Sequence, residues 1–142
     1  MFSKACEYAL KAVIFIASQS QSGQKTGIRQ ICDSIETPHH FTAKILQNLS
    51  RQGLVKSSKG PTGGFYLAEE QDLKLIEVVK AVDGDRIFKD CILGIHECED
   101  KHPCPIHHEY VKIREEITTM LENSSIKEIA RDLDQGLAFL KI

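Results

Sequence analysis

Long apolar runs are missing from this sequence. The longest, Ala12 to Ala17, falls far short of the roughly 20 residues a spanning helix needs, and the N-terminus lacks a charged-then-apolar signal pattern. A cytoplasmic protein with no membrane partner is therefore expected. Internal repeats and low-complexity tracts are absent, which argues against solenoids and linker-like segments. Five cysteines in 142 residues are too few, in a reducing compartment, to read as a disulfide framework. The most informative absence is local: residues 37 to 68 contain no Asp or Glu, yet hold Lys44, Arg51, Lys56 and Lys59. A surface that faces phosphates needs that imbalance.

The overall net charge of −2 hides the asymmetry. Residues 1–68 carry eight basic against three acidic residues, whereas residues 69–142 carry ten against seventeen. A basic reading head joined to an acidic sensing or assembly half fits that division. At this length the chain is one domain, or one domain with a long appendage, and can bury a core.

Within the acid-free window, Phe41, Ile45, Leu46 and Leu49 recur at helical spacing, so one face of a helix from Pro38 to Gln52 is expected to be buried. The other face offers His39, His40, Lys44, Gln47, Asn48 and Arg51, groups that reach base edges and phosphates. Two short strands, 54–58 and 65–68, flank a break at Lys59-Gly-Pro-Thr-Gly-Gly64. Helix plus β-ribbon reads as a winged helix, with DNA contacts expected from His39, His40, Thr42, Lys44, Gln47, Arg51, Lys56 and Lys59. An ordinary helix-hairpin with a chance acid gap is the plainer alternative.

Upstream, Ser3 is positioned to cap a helix to about Ser20, with Ala5, Ala9, Ala12, Val13 and Ile16 on one face. Ile28, Ile31, Cys32 and Ile35 mark a short second helix, and Glu36-Thr-Pro38 a turn before the reader. Cys6 and Cys32 read as small core residues. Downstream, Asp72 is expected to cap a helix over 73–82. Ile106, Tyr110, Ile113, Ile117 and Met120 then form a heptad seam, for which a second copy of the chain is the economical partner and the chain's own domain the alternative. Ser125-Ile-Lys-Glu128 reads as a capping box opening a last helix to about Leu140. The fold class is mainly α with a small β-wing. Its divisions are a winged helix-turn-helix at 1–83, a cysteine loop at 84–104, and a dimerisation helix with a C-terminal helix at 105–142.

The chemistry-bearing group is Cys91-x6-Cys98-x5-Cys104-x2-His107. Thiolates select iron–sulfur clusters, zinc or copper(I), and this is not the tight knuckle of a zinc ribbon. Pro105 suits the first turn of a helix, which would put Cys104 at or beside an N-cap that favours its thiolate. His96, His102 and His108 read as solvated loop residues.

The chain resembles the Rrf-two family of bacterial winged-helix regulators, which includes the iron–sulfur cluster regulator and the nitric-oxide-sensitive repressor. The resemblance is carried by Glu7-Tyr-Ala-Leu-Lys-Ala12, Phe41-Thr-Ala-Lys-Ile-Leu46, Gly53-Leu-Val55, Lys59-Gly-Pro-Thr-Gly-Gly-Phe-Tyr-Leu67 and Cys104-Pro-Ile-His107. It implies a homodimer held by the helix after the loop, binding to near-palindromic double-stranded operators, and an iron–sulfur cluster, 2Fe-2S or 4Fe-4S, held by three cysteines and a fourth residue; a cluster-controlled transcription regulator, read as a repressor, is the function expected. It matches Cys91, Cys98 and Cys104 to the three cysteine ligands and His107 to a histidine fourth ligand; Glu7 matches an acidic alternative given across the dimer. Two positions depart from the pattern. The first cysteine gap is one residue longer than usual, and Lys59 stands where arginine is frequent. A redox or electron-transfer protein using the same cluster, or a DNA binder with a structural zinc site, are the alternatives.

Overall fold

The first helix, α1 (Lys4–Gln21), starts where expected, with the Ser3 hydroxyl accepting from the Cys6 amide at 3.1 Å. Ala9, Ala12, Val13 and Ile16 are fully buried, so this small-residue stripe is the axis on which the rest packs. Helix α2 (Ile28–Ile35) buries Ile31, Cys32 and Ile35. It ends at Glu36 in the left-handed region (φ 52°), and Pro38 opens α3 (His39–Arg51). The computed structural model describes residues 1–95 and 97–141. The expected role of His96 lies outside the described residues, as does Ile142.

Strands β1 (Lys56–Ser58) and β2 (Gly64–Tyr66) pair antiparallel in the register Lys56 with Tyr66, Ser57 with Phe65 and Ser58 with Gly64. Thr26 adds a bridge to Phe65 through two backbone hydrogen bonds of 2.9 and 2.8 Å. That third contact roots the wing in the turn between α1 and α2. It was not expected, because a single bridging residue leaves no alternation to read.

Helix α4 (Leu75–Asp83) follows the wing, then the short α5 (Arg86–Lys89), unexpected within the cysteine loop. Next come α6 (His107–Asn123) and α7 (Ile126–Asp134). Four details correct the sequence reading. Asp72 does not cap α4: it accepts from the Ser125 hydroxyl at 2.8 Å and pairs with Lys74, while Leu73 enters the main core. Ser125, so engaged, does not close a capping box. Helix α7 stops at Asp134, before Gly136 at φ 70°, instead of running to Leu140. Helix α6 begins at His107 behind a turn at Pro105 and Ile106, so Cys104 precedes the N-cap.

Helices α1, α2, α3 and α7 share the main core with Val55, Leu67, Leu73 and Val78. A second cluster of Cys6, Ile76, Val79 and Leu121 joins α1, α4 and α6. The backbone strip from Leu73 to Leu75 pairs with Ser124 and Ile126 at 3.1 and 2.9 Å, tying the start of α4 to the α6–α7 junction.

Candidate cluster site and DNA-reading face

On α3, Ile45, Leu46 and Leu49 are buried as the spacing required. Phe41 is not: it is 43% exposed and packs edge-to-face against Tyr8, ring centroids 5.8 Å apart. Thr42 takes the inward position instead, fully buried, its hydroxyl donating to Thr37 Oγ1 at 2.9 Å. A side chain enclosed in this way reaches no base edge, so Thr42 leaves the set of DNA contacts. His39, His40, Lys44, Gln47 and Arg51 on α3, with Lys56 and Lys59 of the wing, all stand exposed. Among the described residues none of these four cations is spent on an ion pair. Glu36, the acid next to the window, is paired with Lys141 at 3.0 Å. Arg29 on α2, outside the acid-free window, is likewise exposed and without an ion pair among the described residues. The helix before a reader commonly crosses the phosphate backbone.

The wing is held at short range by its glycines. A Cβ on Gly63 would lie 2.2 Å from the Ser58 carbonyl oxygen, and one on Gly64 would lie 2.7 Å from the Thr26 carbonyl carbon. The Ser50 and Ser57 hydroxyls, 3.2 Å apart, link the end of α3 to β1.

The cysteine loop leaves α5 at Cys91, which is buried. A bridge between Asp90 and Glu97, with the Cys98 amide donating to the Lys89 carbonyl at 2.8 Å, folds the loop back on itself. Arg114 of α6 reaches the Lys89 and Asp90 carbonyls at 3.4 Å each. Cys98 Sγ lies 3.1 Å from His107 Nδ1, and the Cys104 thiol has both the Cys91 and the Cys98 sulfurs as neighbours. The Leu93 amide, aided by Cys104 and the amides of Ile95 and Gly94, holds the Cys91 thiol below its ordinary pKa against the opposing effect of burial. The Ile106 amide favours the Cys104 thiolate, but burial and the neighbouring Cys91 and Cys98 sulfurs outweigh it and raise that pKa. Cys91 is thus the sulfur prepared to carry charge.

His107 is 3% exposed, and its second nitrogen, Nε2, lies 2.9 Å from Asp100 Oδ1. Asp100 was missed because a loop carboxylate gives no sequence signal of what it will meet. Glu7 projects from α1 and pairs with Lys4 at 2.8 Å. His102 is exposed beside Glu99, and the exposed His108 stands edge-to-face with His107. Among the described residues no three His, Cys, Asp or Glu groups converge as they would around one metal ion. Cys91, Cys98, Cys104 and His107 lie along one loop and the start of α6, and three thiols with an imidazole are the donor types that could ligate an iron–sulfur cluster or zinc. No helix among the described residues is long and apolar enough to cross a membrane.

Comparison with known proteins bears on both faces. Residues 2–132 match the profile of the Rrf2 family, described as iron-dependent transcriptional regulators. A protein of Aquifex aeolicus (strain VF5), assigned as a transcriptional regulator of the helix-turn-helix type, is 32% identical over 91% of this chain and 90% of its own. Two solved structures share the fold. CymR, the global cysteine regulator of B. subtilis, superposes with a TM-score of 0.74 at 22% identity, covering 92% of this chain and 96% of that one. T. potens IscR superposes with a TM-score of 0.73 at 17% identity, covering 97% and 91%. Winged-helix architecture, the free cations of α3 and the wing, and a match over nearly the whole chain lead to one conclusion: this protein belongs to the Rrf2 family of DNA-binding transcriptional regulators, not to a class of enzymes.

Proposed function

We propose that this regulator is a homodimeric repressor whose affinity for a near-palindromic operator is set by an iron–sulfur cluster held by Cys91, Cys98, Cys104 and His107. The observation that carries the reading is the contact of Cys98 Sγ with His107 Nδ1 at 3.1 Å, which joins the loop that also holds Cys91 and Cys104 to the start of α6. The cysteine spacing, six and five residues, is not the tight Cys-x2-Cys knuckle of a zinc ribbon. The description of the family as iron-dependent supports the same choice. When bound, the cluster supplies a group that redox change, nitric oxide or iron shortage alters.

The residues explain how such a change reaches DNA. Cys91 follows α5, behind the winged-helix block, while His107 is the first residue of α6. Gathering the four donors fixes the offset between that block and α6; releasing them frees it. In a dimer joined along α6, that offset sets the separation of the two reading heads, and operator affinity follows by linkage. Asp100 accepts from Nε2 and thereby leaves Nδ1 free to ligate. Glu7, held by Lys4 within the protomer, is the lesser candidate for fourth ligand.

Anaerobic purification with a visible spectrum and iron and sulfide assays tests this. Wild-type protein should be coloured, with a ratio and spectrum that separate 2Fe-2S from 4Fe-4S; Cys98→Ser should be colourless yet folded. His107→Ala should change the spectrum and Glu7→Ala should not, the reverse assigning the fourth ligand to Glu7. Holo and apo protein should differ in operator affinity by about 1–3 kcal/mol. Equal iron and sulfide in wild-type and Cys98→Ser protein, or a colourless wild type holding one zinc, would overturn the cluster.

A further inference from the structure

We propose that the groove at the root of the wing binds a small organic anion, a carboxylate or phosphate carried on an apolar or planar body, as a second input separate from the cysteine loop. The groove encloses about 600 Å³, within the range of small-molecule sites. Its walls come from the end of α1, the turn after it, β2 with the residues that follow, and α7; none comes from α2, α3, the wing tip or the cysteine loop.

The floor is apolar, made by Ala17 and Leu67, both nearly inaccessible, and Tyr66 forms a wall. Around it stand three cations, Lys25, Lys127 and Arg131, against one acid, Glu69. None of the three is ion-paired among the described residues. The Lys25 ammonium lies over the Tyr66 ring, 5.1 Å from its centroid, and that of Lys127 donates to the Glu69 backbone carbonyl. The Arg131 guanidinium has no hydrogen-bond or ion-pair partner among the described residues. A planar, unspent fork over an apolar floor, with two ammonium groups beside it, matches an acidic head on an apolar body.

The position gives such a ligand a route to the DNA-binding half. The Leu67 amide donates to Ser20 Oγ at 3.0 Å, so the wing root already rests on the end of α1, against which α7 packs. A ligand joining Arg131 to Tyr66 would clamp α7 to the wing, and any resulting change in operator affinity must be mirrored in its own.

Amide chemical shifts of the full-length protein, titrated separately with phenyl phosphate, benzoate and inorganic phosphate, test the site. At least one organic anion should saturate shifts at residues 23–25, 66–69 and 127–131, and should bind more tightly than inorganic phosphate. Phenyl phosphate alone would identify a phosphate head, benzoate alone a carboxylate. Arg131→Ala, a surface change, should weaken binding by about tenfold or more, and Arg131→Lys by less. Absence of saturation, unchanged affinity in Arg131→Ala, or shifts confined to α3 and the wing tip, where anions mimic DNA phosphates, would each overturn the proposal.

Discussion

Thr42 illustrates how one residue on the reading helix serves the fold. Its hydroxyl, fully buried, donates to that of Thr37, which is itself largely buried. Thr42→Val keeps the shape but leaves Thr37 without its donor, and should cost about 1–2 kcal/mol in urea denaturation while operator preference is retained. Native stability with altered preference would instead return Thr42 to the contact face. Cys6 carries a different signature. Burial, and next to it the Asp83 carboxylate, push its thiol from an ordinary value near 9 up to about 12. The unfolded chain therefore loses this proton first as pH rises. Stability should be unaffected by this thiol below pH 9 and should fall above it, at about 1.4 kcal/mol per pH unit, until the folded thiol ionises. Chemical denaturation between pH 9 and 11 should show that slope, and Cys6→Ala should remove it.

Among the elements, the wing depends most on something outside itself. Two strands of three residues have little independent stability, and the Thr26 bridge gives them a third edge. Gly64, at φ 149°, permits that approach, since any Cβ would meet the Thr26 backbone. Gly64→Ala is expected to cost about 1–3 kcal/mol and to weaken DNA binding while helical circular dichroism stays native. Unchanged melting and DNA affinity would show that the wing stands without the bridge. The tail after α7 has a smaller role: Leu140 packs on the main core and Lys141 neutralises Glu36 beside the reading helix. Both partners of that ion pair are solvent-exposed, so its effect is local charge balance more than stability.

For the whole molecule, the proposed assembly runs along α6. Ile113 and Met120 are each 53% exposed and Ile106 is 39% exposed, whereas Ile117 packs against the second cluster. The heptad seam therefore divides between the protomer's own core and an outward stripe, which supports a second copy as partner. Ile113→Glu should give a folded monomer in sedimentation analysis, with DNA affinity reduced because two half-sites are no longer engaged together. A dimer that survives this substitution would put the interface elsewhere. Cations on the reading face set the salt dependence: Lys59→Ala should lower the slope of log affinity against log salt by about 0.9 and weaken every sequence alike. Substitution of Gln47 or His40 should change preference at particular base pairs.

The sequence by itself determined the class of the molecule. Apolar spacing placed α1, α2 and α3, glycine and proline marked the wing, the absence of acids pointed to a candidate DNA face, and cysteine spacing pointed to the candidate cluster loop. These are periodic or compositional signals, written into neighbouring residues, and local physics reads them directly. Only the tertiary structure decided which polar groups meet across the chain. Asp72 turned to Ser125 instead of capping α4, Thr42 replaced Phe41 in the core, Thr26 rooted the wing, and Asp100 found the free edge of His107. Each of these contacts joins groups whose partner is chosen by packing elsewhere. Only the folded backbone can bring them together, for the same hydroxyl or carboxylate satisfies a cap, a neighbour or water with similar energy.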